Sequence, residues 1–170
     1  GGAQAGINDN DNTFLGYNAG LLANGSASGS NTAVGSLALD AAVTSIDATA
    51  VGKGALSAST ASGNTAVGAF AGDAVTTGVA NTLIGLNAGG ALTTGANNTA
   101  IGSSALLTET TSVANTAIGK DALKLQIAGA GSNTAVGATA GDAVTTGTAN
   151  TLIGVDAGGA LTTGSTNTAV

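Results

Sequence analysis

The segment INDNDN at positions 7–12 offers Asp9 and Asp11 as oxygen ligands of the kind that hold calcium. It has neither the Gly nor the distal Glu of an EF-hand loop, and no GGxGxD nonapeptide follows, so it reads as a solvated capping turn. GKGAL at 52–56 lacks the GxxxxGK[ST] spacing that would cradle a phosphate. With no His and no Cys, the usual zinc, haem and iron–sulfur ligand sets cannot be assembled, and neither residue is available for acid, base or nucleophilic work near neutral pH. Hydrolysis would fall to isolated carboxylates or to Ser with Lys. Asp40, Asp47, Asp73, Glu109, Asp121, Asp142 and Asp156 are scattered along the chain and build no shared site. The sequence thus predicts a protein that is not an enzyme and holds no metal and no cofactor.

Binding chemistry is sparse as well. Lys53, Lys120 and Lys124 are the only cations against nine Asp and Glu, a net charge of −6, so no basic face exists for nucleic acid. No apolar run is long enough to span a bilayer. Phe14, Phe70 and Tyr17 read as plugs for local voids, since recognition of sugars or bases would place several aromatics on one face. The four TTG corners (Thr76 and Thr77, Thr93 and Thr94, Thr145 and Thr146, Thr162 and Thr163) read as turns, because adjacent residues of a strand point to opposite faces. NGS at Asn24 and NNT at Asn97 fit the N-glycosylation sequon, which matters only in a eukaryotic secretory pathway.

What organises these residues is repetition. NTFLG begins at Asn12, and copies begin at positions 31, 48, 64, 81, 98, 115, 133 and 150, with a tenth, truncated copy at 167. Counting from the first residue of each copy, +1 is always Thr and +3 always Leu, Val or Ile; +7 is Ala in every complete copy. Position +4 is a corner glycine throughout: Gly16, Gly35, Gly52, Gly68, Gly85, Gly102, Gly119, Gly137 and Gly154. A longer period is superimposed, for residues 64–100 recur at 133–169 with six differences in 37 positions. An array that has grown by copying blocks of units suits a structure in which length matters more than any one unit.

A unit of about 17 residues is too short for two helices and a turn, and its Gly and Thr content opposes helix. The alternation from +1 to +3 predicts a short strand ended by Gly. The whole predicts an all-β chain, a parallel β-solenoid of about nine coils, with residues 1–11 a lead-in or cap and residues 12–170 the array. Stacking at the spacing between β-strands makes that a body about 45 Å long.

The expected core is a column at +3: Leu15, Val34, Val51, Val67, Ile84, Ile101, Ile118, Val136 and Ile153. Leu39, Leu56, Leu106 and Leu123 at +8 alternate with Val75, Leu92, Val144 and Leu161 at +11, as though interior volume were exchanged between the two positions. Asn12, Asn31, Asn64, Asn81, Asn98, Asn115, Asn133, Asn150 and Asn167 are expected to stack as a ladder of amides, with Ala48 the one interruption. Two sizeable apolar side chains per coil do not offset the ordering of 17 backbones, so a homo-oligomer is expected, its small residues at +2 and +7 lying between chains or in tight interior corners.

The motifs NTAVGxxA, NTLIGxxAGG and NTAIGxxAL resemble the head repeats of trimeric autotransporter adhesins, and NTFLGYNAG and NTLIGLNAGG are similar to arrays in phage tail-fibre proteins. The resemblance covers residues 12–170. It implies a left-handed β-roll in each of three intertwined chains, a place on a virion surface or at an extracellular cell surface, and a shaft from a viral tail or capsid fibre or the head of a bacterial adhesin, with any host receptor engaged by regions outside this segment. The coils here are longer than the adhesin pattern, Asn-Thr stands where that family more often has Ser or Val, and there is no neck motif, heptad stalk or membrane anchor. A solenoid that meets ice or polysaccharide through a repeated flat face is the reading from another class.

Overall fold

The computed structural model describes residues 11–22, 29–127, 129 and 131–170, together with the backbone of 3–7. Eleven strands form one sheet whose spatial order is the chain order: β1 (Ala3–Ile7), β2 (Thr13–Tyr17), β3 (Thr32–Val34), β4 (Thr49–Val51), β5 (Thr65–Val67), β6 (Thr82–Ile84), β7 (Thr99–Ile101), β8 (Thr116–Ile118), β9 (Thr134–Val136), β10 (Thr151–Ile153) and β11 (Thr168–Ala169). From β2 onward every neighbour is parallel and in register, Thr on Thr and branched residue on branched residue, so this is a parallel β-solenoid of about nine coils. β1 alone is antiparallel, Ala3 opposite Tyr17 and Ile7 opposite Thr13, and it pairs the outer edge of the first coil. Among the described residues there is no helix, hence none that could cross a membrane.

Hydrogen bonding continues around the coil well beyond the three-residue strands. The N–H at +4 donates to the preceding coil, as Gly85 does to Val67, whereas the N–H at +8 donates to the following one, as Leu106 does to Ala122 at 2.9 Å. Each coil turns by left-handed residues at +6 and +8 and at the position before the Asn. Leu39, Leu56, Leu106 and Leu123 occupy the +8 corner at φ between 48° and 54°. That backbone is costly for leucine, and the full burial of all four side chains is what offsets it.

The strand faces are the reverse of those expected. Position +2 points inward: Phe14, Ala33, Ala50, Ala66, Leu83, Ala100, Ala117, Ala135 and Leu152 are all buried. Position +3 points outward, leaving Leu15 at 52% exposure, Ile153 at 43% and Val67 at 37%, with Val34, Val51, Ile84, Ile101, Ile118 and Val136 half-buried. The reason is the width of the lumen. The small residue at +2 shares it with the Ala at +7 and with a large side chain from +8 or +11, and a full column of branched residues would leave those side chains no room.

Where +2 is itself large, +8 is glycine: Phe14 with Gly20, Leu83 with Gly89, Leu152 with Gly158. A Cβ on Gly89 would lie 2.8 Å from the Leu83 side chain, and one on Gly20 would lie 2.6 Å from the Phe14 ring. Volume is therefore traded between +2 and +8, in addition to the trade between +8 and +11. The alanines at +2 and +7 occupy interior corners and not an interface: Ala88 has no exposed surface in the single chain. A bulky group there would break its own coil, so Ala88→Trp tests folding and not assembly.

Candidate interaction surface and buried polar column

The Asn of each coil is held inside the wall by bonds in both directions. Asn98 illustrates the pattern: its Oδ1 accepts the Asn115 N–H at 3.0 Å, and its Nδ2 donates to the Ser112 carbonyl at 2.9 Å and to Asn81 Oδ1 at 3.1 Å. The backbone N–H of Asn31, Asn81, Asn98, Asn115, Asn133, Asn150 and Asn167 goes to the side-chain oxygen of the preceding Asn in this way. At the interruption the Ala48 N–H still donates to Asn31 Oδ1 at 2.9 Å, and the buried Ser45 and Ser59 bond nearby, Ser45 Oγ donating to the Ser59 carbonyl and Ser59 Oγ accepting the Ala61 N–H. Because truncation strands a buried N–H and a buried C=O together, Asn98→Ala is expected to cost about 2–4 kcal/mol in urea unfolding. An Ala at 98 tolerated as the natural Ala48 is would show that the amide is dispensable.

The Thr corners carry a second column, on the surface. The hydroxyls of Thr44, Thr60, Thr76 and Thr93 donate in turn to the carbonyls of Thr60, Thr76, Thr93 and Thr110, so each is spent on the next coil. The following residues, Thr77, Thr94, Thr146 and Thr163, are exposed.

The outer face of the sheet is a regular surface that runs the length of the array. It presents Thr at +1 and Val, Ile or Leu at +3 in successive ranks, bordered at +5 by Tyr17, Ser36, Lys53, Ala69, Leu86, Ser103, Lys120, Ala138 and Val155. The two inner columns bear no charge. The border repeats every fourth rung, and Leu86 and Val155 stand 52% and 79% exposed.

Charged groups lie off this face or on its rim. Lys53 sits over the Phe70 ring, 5.3 Å from its centre. Lys120 and Lys124 flank Asp121, and hydrogen bonding from Lys120 first, then from Lys124, holds that carboxyl below the usual range. Burial pushes Asp40 and Asp73 up, against weaker hydrogen bonds from their own and the next backbone N–H. A raised folded-state value means that charging Asp73 opposes folding, a penalty relieved as pH falls through that value. Asp73→Asn is accordingly expected to raise the urea midpoint slightly at pH 7 and to flatten the pH dependence on the acid side, above the ordinary carboxylate range; an unchanged slope there would refute the assignment.

The interior holds one feature that the scatter of acidic residues does not reveal. Glu109 and Gln126, both at +11, are wholly buried. Glu109 Oε1 accepts the N–H groups of Thr110, Thr111 and Ser112, each at 2.7 Å, and its Oε2 accepts from Gln126 Nε2 at 3.3 Å. Gln126 Oε1 in turn accepts from Asn133 Nδ2 at 3.2 Å, which joins this chain to the Asn column. The available signal was positional: +11 is Ala, Ser, Val or Leu in other coils, so a Glu and a Gln at that offset mark a polar exception in the core.

Asp11 is exposed at a left-handed φ of 58°, while Asp9 and the Asn24 sequon lie outside the described residues; Asn97 is exposed. No group of three or more metal-ligating side chains forms among the described residues. The fold and this inventory define a parallel β-solenoid repeat protein. No protein-family model, curated protein or solved structure matches the sequence.

Proposed function

We propose that this chain is a shaft segment of a structural fibre, built from copies of itself that pack through the outer face of the sheet, and that it performs no chemistry. The observation that carries this reading is the exposed face of the sheet, parallel from β2 onward, along which Thr and Val, Ile or Leu form a continuous, partly apolar surface that nothing in the single chain covers. About nine rungs at ~4.8 Å, each five residues wide at ~3.3 Å, present on the order of 700 Å², close to what each partner of a standard interface contributes. Within that width the Thr and branched columns carry no charge to desolvate, and the charges are confined to the border, at Lys53 and Lys120. The motif resemblance favours three chains, in a viral tail or capsid fibre first and a bacterial surface adhesin head second. Either would place it on a virion or cell surface, with receptor binding left to other regions.

Native mass spectrometry at dilute concentration tests this. A mass of three times 15.5 kDa is expected, and Ile101→Asp, which changes the outer face alone, is expected to give a folded single chain. A native-sequence chain that is a stable, folded monomer would overturn the reading. That outcome would favour a second one, an ice- or polysaccharide-binding solenoid, for which the structure supplies a specific feature: +1 and +3 point the same way, so each rung shows a Thr and a branched residue side by side.

A further inference from the structure

The three bonds that Glu109 Oε1 accepts come from its own coil, from the next three backbone N–H groups, and would persist whichever coil lay alongside. Its other oxygen depends on a neighbour. Oε2 takes the Gln126 amide from the following coil, and Gln126 Oε1 takes the Asn133 amide from the coil after that. Three successive coils are thereby read in order by one buried polar chain.

The rest of the array reads order poorly. With residues 64–100 and 133–169 nearly identical, and with Thr, Ala and Val or Ile at equivalent strand positions, a coil can be looped out and its neighbours stacked with most side chains still matched. If the coil starting at 98 stacked directly on the one starting at 133, Glu109 would meet Val144 at the equivalent offset, and its Oε2 would be buried without a donor. We infer that Glu109, Gln126 and Asn133 form a register lock, a polar connection whose role is to reject mis-stacked coils between the two duplicated blocks. Buried polar groups that fix register in coiled coils, at a cost in stability, are the nearest physical parallel.

The test is disulfide trapping during refolding of the full chain. Thr99 and Thr116 are partners on adjacent strands, whereas Thr99 and Thr134 are two rungs apart, too far to be bridged. Thr99→Cys/Thr116→Cys therefore reports native stacking, and Thr99→Cys/Thr134→Cys reports a chain that has skipped a coil. In the otherwise native sequence only the first pair should close within one chain. Adding Glu109→Val and Gln126→Val together should leave the β-sheet circular dichroism in place while the skipped-coil disulfide rises by about tenfold or more. The exchange Glu109→Gln/Gln126→Glu keeps a donor opposite an acceptor and should restore native stacking. Native-only trapping in the valine variant would overturn the inference. So would a valine variant that fails to fold while the exchanged variant folds, since the pair would then be holding up the fold and not selecting its register.

Discussion

Gly85→Ala is expected to destabilise the array by about 4 kcal/mol, more than most single methyl additions, because two costs coincide there. The backbone has φ +134°, a region that side chains rarely adopt, and the new Cβ would sit 2.5 Å from the Gly102 carbonyl oxygen and 2.6 Å from its carbon. Neither atom can yield, since both belong to the wall of the next coil. The contact repeats along the column, so relief at one rung loads the next. Gly63→Ala is the matched control: φ is +69°, the nearest atom is 3.9 Å away, and Ala80, Ala114 and Ala149 already occupy the equivalent corner at φ 56° to 60°. Urea unfolding should separate the two variants clearly, and equal midpoints would mean that the glycine column is not what sets the coil spacing.

The second large effect is expected at Ala100, where Asp would bury an unpaired charge in a lumen with no exposed surface. Ala100→Asp should cost several kcal/mol even after its pKa adjusts, enough to unfold a chain of ordinary stability. The adjacent Ile101→Asp should leave the coil folded and act on association alone. This pair of neighbouring substitutions reads the strand faces directly through circular dichroism and native mass. If Ile101→Asp unfolded the chain while Ala100→Asp did not, the inward face would be +3 after all.

The strand assignment shows how far periodicity carries. Alternation from Thr at +1 to Val or Ile at +3 locates the strand and its end at Gly, but it names two faces without saying which is inside. Hydrophobicity favours Val and Ile over Ala as core, and for a sheet with one buried face that choice would be sound. A narrow solenoid inverts it. The interior is filled by Leu39, Leu56, Leu106 and Leu123 from the +8 corner and by Val75, Leu92 and Val144 from +11, so the strand can contribute only a methyl. Phe14, Leu83 and Leu152 are the exceptions that confirm the constraint, each facing a glycine at +8.

Sequence alone determined the period, the parallel stack of about nine coils, the absence of helix among the described residues, the corner glycines and the recurrence of Asn, because each depends on local conformation or on identity between coils, and both are written in the repeat. The direction of the strand faces was decided only by the tertiary structure, and so was the placement of the alanines in interior corners. The joining of Glu109 to Gln126 and Asn133 was settled there too. These depend on the width of a lumen closed by residues from several offsets and several coils, a distance that no pattern along one chain expresses.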